Sequence, residues 1–401
     1  MSHSPERNPF TREEPFAVHL STGHLPRRAA VTAALALSSL LIATGCSGDS
    51  SSGSSSGPGG GTAPAASAPP AEGSAEVVRT VAGKLDSPWG VAPLPDGDLL
   101  VGSRNTGRIT RVAAKDGRQT PLGTVPGVAA AGEGGLLGLA LSPGYASDHL
   151  LYAYFTTDSD NRVARLLVDE KRPEGQRLGA PDTILRGIPR GQIHNGGRIA
   201  FGPDGMLFAG TGEAGQRDPA QDKGSLGGKI LRMTPDGRPA PGNPFPDSLV
   251  YSYGHRNVQG LAWDADKRLW ASEFGQDTWD ELNLVEPGRN YGWPVVEGKA
   301  HRAGLTDPVE QWRPADASPS GLAYAAGSLW MAGLRGERLW RIPLRGAGPA
   351  ATPKAFLKGN YGRLRTVVPT GDGGLWLTTS NTDGRGRPTA DDDRLLRLKV
   401  T

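Results

Sequence analysis

Cysteine is almost absent from this chain of 401 residues, since Cys46 is the only one. A single cysteine cannot form a disulfide within the chain, so disulfide-stapled folds are excluded. Runs of basic charge are missing as well: Lys and Arg never occur in blocks longer than a pair, and the formal net charge is only +3. A nucleic-acid-binding function is therefore not expected, because such proteins concentrate basic residues on one surface.

The N-terminal region lacks an apolar run long enough to span a bilayer permanently. Its apolar stretch follows Arg27-Arg28 and ends at Ala43. The next residues, up to Ser47, resemble a bacterial lipoprotein cleavage box, and the paired arginines resemble a twin-arginine export signal. Residues 1–45 are therefore interpreted as a cleaved signal peptide, with Cys46 as the lipidated residue. We expect an exported protein anchored to the cell membrane by lipid. A plain secretory signal followed by an unmodified cysteine is the alternative.

Residues 46–75 lack the apolar pattern of a core. They are rich in Gly, Ser, Pro and Ala, which is typical of a flexible linker. The folded domain is predicted over residues 76–401. The whole chain contains 58 glycines and 34 prolines, and 37% of its residues are hydrophobic. This composition argues against a helical bundle and favours many short strands joined by tight turns.

One pattern occurs six times: a short apolar triplet, a turn rich in Pro, Gly and Asp, and then an alternating strand. The six triplets are Gly90-Val91-Ala92, Gly138-Leu139-Ala140, Arg198-Ile199-Ala200, Gly260-Leu261-Ala262, Gly321-Leu322-Ala323 and Thr366-Val367-Val368. Their spacing of 45 to 62 residues is enough for one blade of four antiparallel strands. The sequence therefore predicts an all-β fold, a six-bladed β-propeller. A β-sandwich also uses short strands, but it would not repeat six times.

Strand pattern outside the repeats predicts how the ring closes. Residues Val77–Val81 precede the first repeat, and Leu395–Leu398 end the last one. Pairing of these two segments would close the ring and protect both end strands from unwanted pairing.

Polar residues near the predicted channel indicate a ligand site. The first strand of each propeller blade lines the channel, and loops converge at one mouth. Just before or within these strands lie His194, Arg256, Asn257, Arg363 and Arg365. Because arginine pairs bidentately with carboxylates, the set favours an anionic ligand.

Each of these residues also has an ordinary interpretation. A histidine beside two glycines is more often a turn or core residue than a base. An Arg-x-Arg strand usually places both side chains on one solvated face. Glu213 could solvate a loop, and Asp280-Glu281 could be a surface acid pair. No single residue therefore predicts an enzyme.

Taken in order from Leu85 to Leu398, the motifs resemble the soluble quinoprotein sugar dehydrogenases, which use pyrroloquinoline quinone (PQQ) and calcium. The short loops and the Gly132–Gly138 motif resemble the aldose sugar dehydrogenase branch. The motifs are Gly132-Glu133-Gly134-Gly135-Leu136-Leu137-Gly138, His194-Asn195-Gly196-Gly197-Arg198, Gly254-His255-Arg256-Asn257-Val258-Gln259-Gly260, Ser272-Glu273-Phe274-Gly275, Asp280-Glu281-Leu282-Asn283-Leu284, Asn290-Tyr291-Gly292-Trp293-Pro294 and Gly362-Arg363-Leu364-Arg365.

The resemblance implies roles for individual residues. His194 matches the general base that takes the proton of the anomeric hydroxyl, and Glu213 matches the carboxylate that orients this base. Arg256 would face the quinone oxygen that gains negative charge. The remaining cofactor-binding positions are Asn257, which would hydrogen-bond the quinone, Arg335, Arg363 and Arg365, which would hold PQQ carboxylates, and Glu133, which stands where the glucose enzymes have glutamine.

The same resemblance implies two calcium sites. Backbone carbonyls of Gly275 and Gln276 would hold the catalytic ion, which would act as a Lewis acid on the quinone. Glu281 and the carbonyl of Tyr291 match a second, structural ion. A dimer-contact calcium of the glucose enzymes has no match, since His301 stands where an aspartate is needed. The sequence therefore leaves the oligomeric state open.

The expected function is oxidation of a small-molecule aldose at the anomeric carbon, which gives a lactone. Hydride would pass to PQQ, and the electrons would then pass to an external acceptor. Two alternatives are a non-catalytic propeller that binds carbohydrate or protein, and a dehydrogenase acting on sorbosone-type substrates. The combination of His194, Arg256 and the Arg363/Arg365 pair favours the enzyme.

Overall fold

The computed structural model describes residues 71–401. The proposed signal peptide, Cys46 and most of the proposed linker lie outside the described residues, so these interpretations stay predictions. Within residues 71–401, no helix combines the length and the apolar character that crossing a membrane requires.

Six antiparallel sheets account for almost all of the regular structure. Strand β1 (Ala75–Ala82) is the first strand of the described residues. Blade 1 contains β2 (Pro88–Pro93), β3 (Leu99–Ser103), β4 (Arg108–Val112) and β5 (Gln119–Thr124); blade 2 contains β6 (Leu136–Leu141), β7 (Leu150–Thr156), β8 (Asn161–Leu167) and β9 (Asp182–Ile188); blade 3 contains β10 (Ile199–Phe201), β11 (Leu207–Gly210), β12 (Lys229–Met233) and β13 (Val250–Tyr253).

The second half of the chain repeats this arrangement. Blade 4 contains β14 (Val258–Trp263), β15 (Leu269–Glu273), β16 (Asp280–Val285) and β17 (Glu310–Trp312); blade 5 contains β18 (Pro319–Ala325), β19 (Ser328–Gly333) and β20 (Arg338–Arg345), with β21 (Gly348–Pro349) and β22 (Lys354–Phe356) both paired to β20; blade 6 contains β23 (Leu364–Pro369), β24 (Leu375–Thr379) and β25 (Leu395–Val400). The described helices are α1 (Tyr145–Asp148) and a 3-10 turn at Asp218–Ala220.

The ring closes as the sequence predicts. Strand β1 pairs with β25 in antiparallel register, with Val77 opposite Leu398 and Thr80 opposite Leu396. The outermost strand of blade 6 therefore comes from the start of the domain, and its other three strands come from the end. This arrangement confirms the six-bladed propeller.

The core consists of six apolar clusters, and each cluster fills the space between two neighbouring blades. Alternation along the strands explains this distribution. In β3, Leu99 and Val101 join the cluster shared with blade 6, whereas Leu100 joins the cluster shared with blade 2. Successive side chains of a strand point to opposite faces, so a blade strand is apolar on both faces.

The repeated triplets lie on the innermost strands. Lack of space for a side chain explains why several of them begin with glycine. A Cβ atom on Gly138 would lie 2.2 Å from the carbonyl oxygen of Gly197 in the next blade. On Gly90 it would lie 2.5 Å from the carbonyl oxygen of Leu137. The inner strands converge so closely that no side chain fits at these positions.

Candidate active site

Loops at one face of the propeller form a cavity of about 440 Å³. Because strands alternate in direction within a blade, the start of the first strand and the end of the second strand lie at the same face. Residues at these positions, drawn from all six blades, supply most of the lining. The lining residues are Trp89, Arg104, Gly132, Glu133, His194, Arg256, Asn257, Gln259, Phe274, Gly275, Gln276, Asp280, Pro314, Ser318, Leu334, Arg335, Arg363, Arg365, Asp383 and Arg385.

His194 lies in the loop before β10, and Glu213 lies in the loop after β11. The Nδ1 atom of His194 hydrogen-bonds Oε1 of Glu213, whose side chain is only 2% exposed. Glu213 is therefore a buried partner of the histidine and does not solvate a loop. A carboxylate on Nδ1 holds the imidazole in the tautomer with a lone pair on Nε2. Nε2 has no hydrogen-bond partner among residues 71–401, so it is available to accept a proton.

Arg256 and Asn257 lie on the connection between blades 3 and 4. The Arg256 side chain stacks on Trp293, with its guanidinium carbon 5.3 Å from the ring centroid. Its Nε atom is buried without a partner, and burial lowers the pKa of the guanidinium. Asn257 uses its carbonyl oxygen to accept the N–H of Gly196 at 2.9 Å. Arg256 Nε and the Asn257 amide N–H group are therefore left for a ligand.

Arg104, Arg363, Arg365 and Asp383 form an arginine cluster in the cavity wall. Arg363 and Arg365 both donate to Oδ2 of Asp383, at 3.0 and 3.2 Å. Arg104 donates to the main-chain oxygen of Asp383 at 3.1 Å. Arg363 and Arg365 are 9% and 5% exposed, so the interpretation as a solvated Arg-x-Arg face is wrong. The Asp383 carboxylate binds two of these three buried guanidinium groups, and Arg104 contacts only the main chain, so the cluster has an excess of positive charge.

Charges of this cluster affect one another. Burial lowers the pKa of Arg365 to about 10, in part offset by Asp383. Burial alone would raise the pKa of Asp383, but Arg365 and Arg363 hold it below its ordinary value. The Asp383 carboxylate is therefore ionised, and the excess positive charge persists at neutral pH.

Glu133 is neutralised by a residue far away in the sequence. Its Oε1 atom pairs with Arg385 at 2.7 Å, and its Oε2 atom accepts the N–H of His194 at 2.9 Å. This acid therefore positions the histidine loop, and its own charge is compensated by Arg385.

Two carboxylates hold the loop that follows β15. Asp280 accepts the N–H of Gly275 at 2.9 Å, and burial raises its pKa to about 6. A single oxygen of Glu297 accepts four consecutive N–H groups, those of residues 276–279, at 2.7 to 3.1 Å. The carbonyl oxygens of Gly275 and Gln276 accept no hydrogen bond from the described residues. All the N–H groups of this loop are bound, and these two carbonyls remain available.

Glu281 and Tyr291 do not line the cavity. Glu281 is buried, accepts the N–H of Gly298 at 2.7 Å, and has its pKa raised by burial and by the nearby Glu273. The ring of Tyr291 stacks on His255 at 4.7 Å between centroids. Asp280 and Glu281 are 1% and 7% exposed, so the interpretation as a surface acid pair is wrong.

Comparison with known proteins identifies the family. The sequence matches the family model described as Glucose / Sorbosone dehydrogenase over residues 85–397. The chain belongs to this family. A solved structure described as the PQQ-bound form of aldose sugar dehydrogenase from Streptomyces coelicolor is 70% identical, with a TM-score of 0.83, and the match covers 83% of this chain and 100% of that chain.

Two curated relatives are also similar to this chain. Aldose sugar dehydrogenase YliI of Escherichia coli is 34% identical over 64% of this chain and 74% of its own length. Quinoprotein glucose dehydrogenase B of Acinetobacter calcoaceticus is 30% identical over 56% of this chain and 54% of its own length. The predicted family and the predicted enzyme class, an oxidoreductase of the sugar dehydrogenase type, are confirmed at this level.

The structure brings most of the predicted site residues into one cavity. Those that line it are Glu133, His194, Arg256, Asn257, Gly275, Gln276, Arg335, Arg363 and Arg365, and Glu213 contacts it through His194. Glu281 and Tyr291 lie outside this cavity. Sequence reasoning missed Trp89, Arg104, Asp383 and Arg385. Arg104 and Asp383 come shortly after the second strand of a blade, and this position was the signal that could have found them.

Proposed function

We propose that this protein is a PQQ- and calcium-dependent dehydrogenase that oxidises aldoses at the anomeric carbon to lactones. The observation that carries the proposal is the His194–Glu213 pair in the same cavity as Arg256 and the arginine cluster. A base, a fixed cation and an anion-binding wall are the elements that the reaction requires. A purely binding propeller would have no need for a histidine oriented by a buried carboxylate.

The residues of the cavity fit an anionic cofactor such as PQQ. The arginine cluster has more positive than negative charge, and Arg335 forms no ion pair with any residue from 71 onward. Arg335, Arg363 and Arg365 would hold the carboxylates through forked hydrogen bonds. The Nε atom of Arg256 and the amide of Asn257 would bind further polar atoms of the cofactor. When bound, PQQ supplies the two-electron acceptor of the reaction.

The carbonyls of Gly275 and Gln276 fit calcium, which prefers oxygen ligands. No group of three or more His, Cys, Asp or Glu side chains in residues 71–401 is arranged to hold a metal, and the proposed ligands are mainly carbonyl oxygens. At the second proposed site, Oδ1 of Asn283 is buried without a partner beside Glu281. An unpaired amide oxygen next to a buried carboxyl group is a donor set that suits a hard cation.

His194 would act on the substrate hydroxyl. Its Nε2 lone pair, held in place by Glu213, would accept the proton of the anomeric hydroxyl. The anomeric carbon would lose a hydride at the same time, so the sugar loses two electrons and two hydrogens in all and becomes the lactone. Arg256 would stabilise the negative charge that develops in the cavity during this transfer.

Reconstitution tests this function. Extensively chelated, PQQ-free protein would be mixed with PQQ, with calcium, or with both, and sugar-dependent reduction of an artificial dye would be followed. Activity is expected only when both are present. Full activity without either addition would contradict the cofactor assignment, and sugar binding without any oxidation would favour the binding-module alternative. A panel with aldoses and sorbosone would separate the two dehydrogenase classes.

A further inference from the structure

Arg198 occupies the centre of the propeller, where it joins residues of three other blades. Its Nε atom donates to the main-chain oxygen of Gln259 at 2.8 Å, and Nη2 donates to Oγ1 of Thr366 at 3.0 Å. Its guanidinium carbon lies 4.3 Å from the ring centroid of Trp89. Trp89 and Gln259, both contacted by Arg198, line the cavity, and Arg198 itself does not.

The charge of Arg198 has no acidic partner. It forms no ion pair with any residue in the described part of the chain. The charged neighbour that affects it is Arg365, of the same sign, whose guanidinium carbon lies 5.8 Å from the same indole. Burial and then Arg365 lower the pKa of Arg198 to about 9, which leaves it protonated at pH 7.

A buried cation beside a second cation is costly to the protein when no anion is bound. Hydrogen bonds to two oxygens satisfy part of the guanidinium, but they do not neutralise it. A folded-state pKa below the ordinary value means that the charged form is disfavoured in the fold, so at pH 7 this charge lowers the free energy of unfolding. A neutral side chain of similar volume would fill the same space without this penalty.

We propose that Arg198 is an electrostatic determinant of cofactor affinity, acting through the indole of Trp89 on an anion in the cavity. This inference rests on the proposed function, because PQQ with its carboxylates is the anion concerned. The protein interior screens charge weakly, so a buried cation behind the cavity wall attracts a polyanion strongly. The cost of the unpaired charge in the free protein is recovered when the anion binds.

Arg198→Met and Arg198→Lys test the proposal, with Lys229→Met as the matched control. Lys229 is also a buried cation held only by oxygen atoms, the carbonyls of Pro219, Ala220 and Gly227, and it does not line the cavity. PQQ affinity would be measured by calorimetric titration in the presence of calcium, and Tm would be measured with and without PQQ.

The expected result is a split between stability and affinity. Arg198→Met keeps or raises the Tm of PQQ-free protein, weakens PQQ binding by about 10- to 100-fold, and shrinks the PQQ-induced rise in Tm. Arg198→Lys retains most of the affinity because it keeps the charge. Lys229→Met leaves PQQ affinity unchanged.

Other outcomes would overturn the inference. If Arg198→Met binds PQQ as tightly as the native protein, or if Arg198→Lys loses as much affinity as Arg198→Met, charge is not the reason for this arginine. If Arg198→Met fails to fold, the neutral variant Arg198→Gln replaces it, and PQQ affinity equal to that of the native protein would overturn the inference. If the native protein itself binds no PQQ, the proposed function is wrong as well. If the native protein binds PQQ and the Arg198 variants bind it equally well, only the inference about Arg198 is wrong.

Discussion

The imidazole of His194 depends on contacts that its own sequence neighbours do not supply. Its backbone has a φ of 56°, a left-handed conformation that is uncommon outside glycine. The carboxylate of Glu133 binds its N–H, and Glu213 binds its ring. Such a backbone persists only where surrounding contacts hold it, and it is concentrated at functional sites.

Replacement of His194 by alanine should separate catalysis from binding. A positioned general base contributes about 10²- to 10⁴-fold to rate, so kcat should fall by roughly that factor. PQQ affinity should remain nearly native, because the arginine cluster is untouched. Steady-state rates and a PQQ titration on the same preparation would show both effects. A variant that oxidises sugar at the native rate would exclude His194 as the base.

Arg363→Ala should show the reverse pattern. Loss of a charged hydrogen-bond donor to a carboxylate should weaken PQQ binding by about 10- to 100-fold. At saturating PQQ, kcat should recover most of its native value, since His194 and Glu213 are intact. Arg345, exposed at the end of β20, gives a matched control as Arg345→Ala. Equal PQQ affinities in Arg363→Ala and Arg345→Ala would show that Arg363 does not bind the cofactor.

At the scale of an element, the loop after β15 shows how a single carboxylate orients a segment. Four N–H groups in succession converge on one oxygen of Glu297, so the carbonyls cannot rotate without breaking these bonds. Gly275 is required here because a Cβ atom would lie 1.8 Å from the carbonyl oxygen of Trp279. The loop is therefore preorganised with the Gly275 and Gln276 carbonyls unpaired.

Glu297→Ala should impair calcium binding without removing any proposed ligand. Loss of a residue that orients metal ligands typically costs 10- to 100-fold in affinity, so the calcium concentration for half-maximal reconstitution should rise by at least about 10-fold. Glu286→Ala, a change at a half-exposed residue paired with Arg289, should leave it unchanged. If both variants reconstitute at the native calcium concentration, the loop does not hold the ion.

At the scale of the whole molecule, the ring depends on a strand from the start of the domain. Removal of residues 1–82 takes away β1 and exposes the edge of β25, whereas removal of residues 1–70 leaves the described structure entire. The longer truncation should lower Tm by roughly 10 °C or more and promote aggregation through the open edge. Thermal unfolding and light scattering of the two truncated proteins would measure this. Equal Tm values would mean that closure contributes little to stability.

Localisation is a prediction for the whole protein, and it depends on Cys46, which lies outside the described residues. If this cysteine carries a lipid, Cys46→Ala should move the protein from the membrane fraction to the soluble fraction. The Tm of the propeller should not change, because the sequence predicts a flexible linker between the two. Fractionation followed by detection of the protein would test it, and unchanged membrane association would argue against a lipoprotein.

The sequence by itself determined the fold, because the information lies in local patterns. Each triplet such as Gly138-Leu139-Ala140, its turn and its alternating strand can be recognised within about 15 residues, and six such units leave few alternatives to a propeller. The motifs around His194 and Arg256 also pointed to the site, since they lie next to the inner strands. Glu213 and Arg335 were found only through the family resemblance.

Only the tertiary structure decided how the charges of the site are balanced. Glu133 pairs with Arg385, and Arg198 stacks on Trp89, in each case between different blades and across a large separation in sequence. Local periodicity contains no information about such pairs, because they form only when different blades converge on one axis. The same convergence places more guanidinium groups than carboxylates around one cavity, and this imbalance is the physical basis for assigning it to an anionic cofactor.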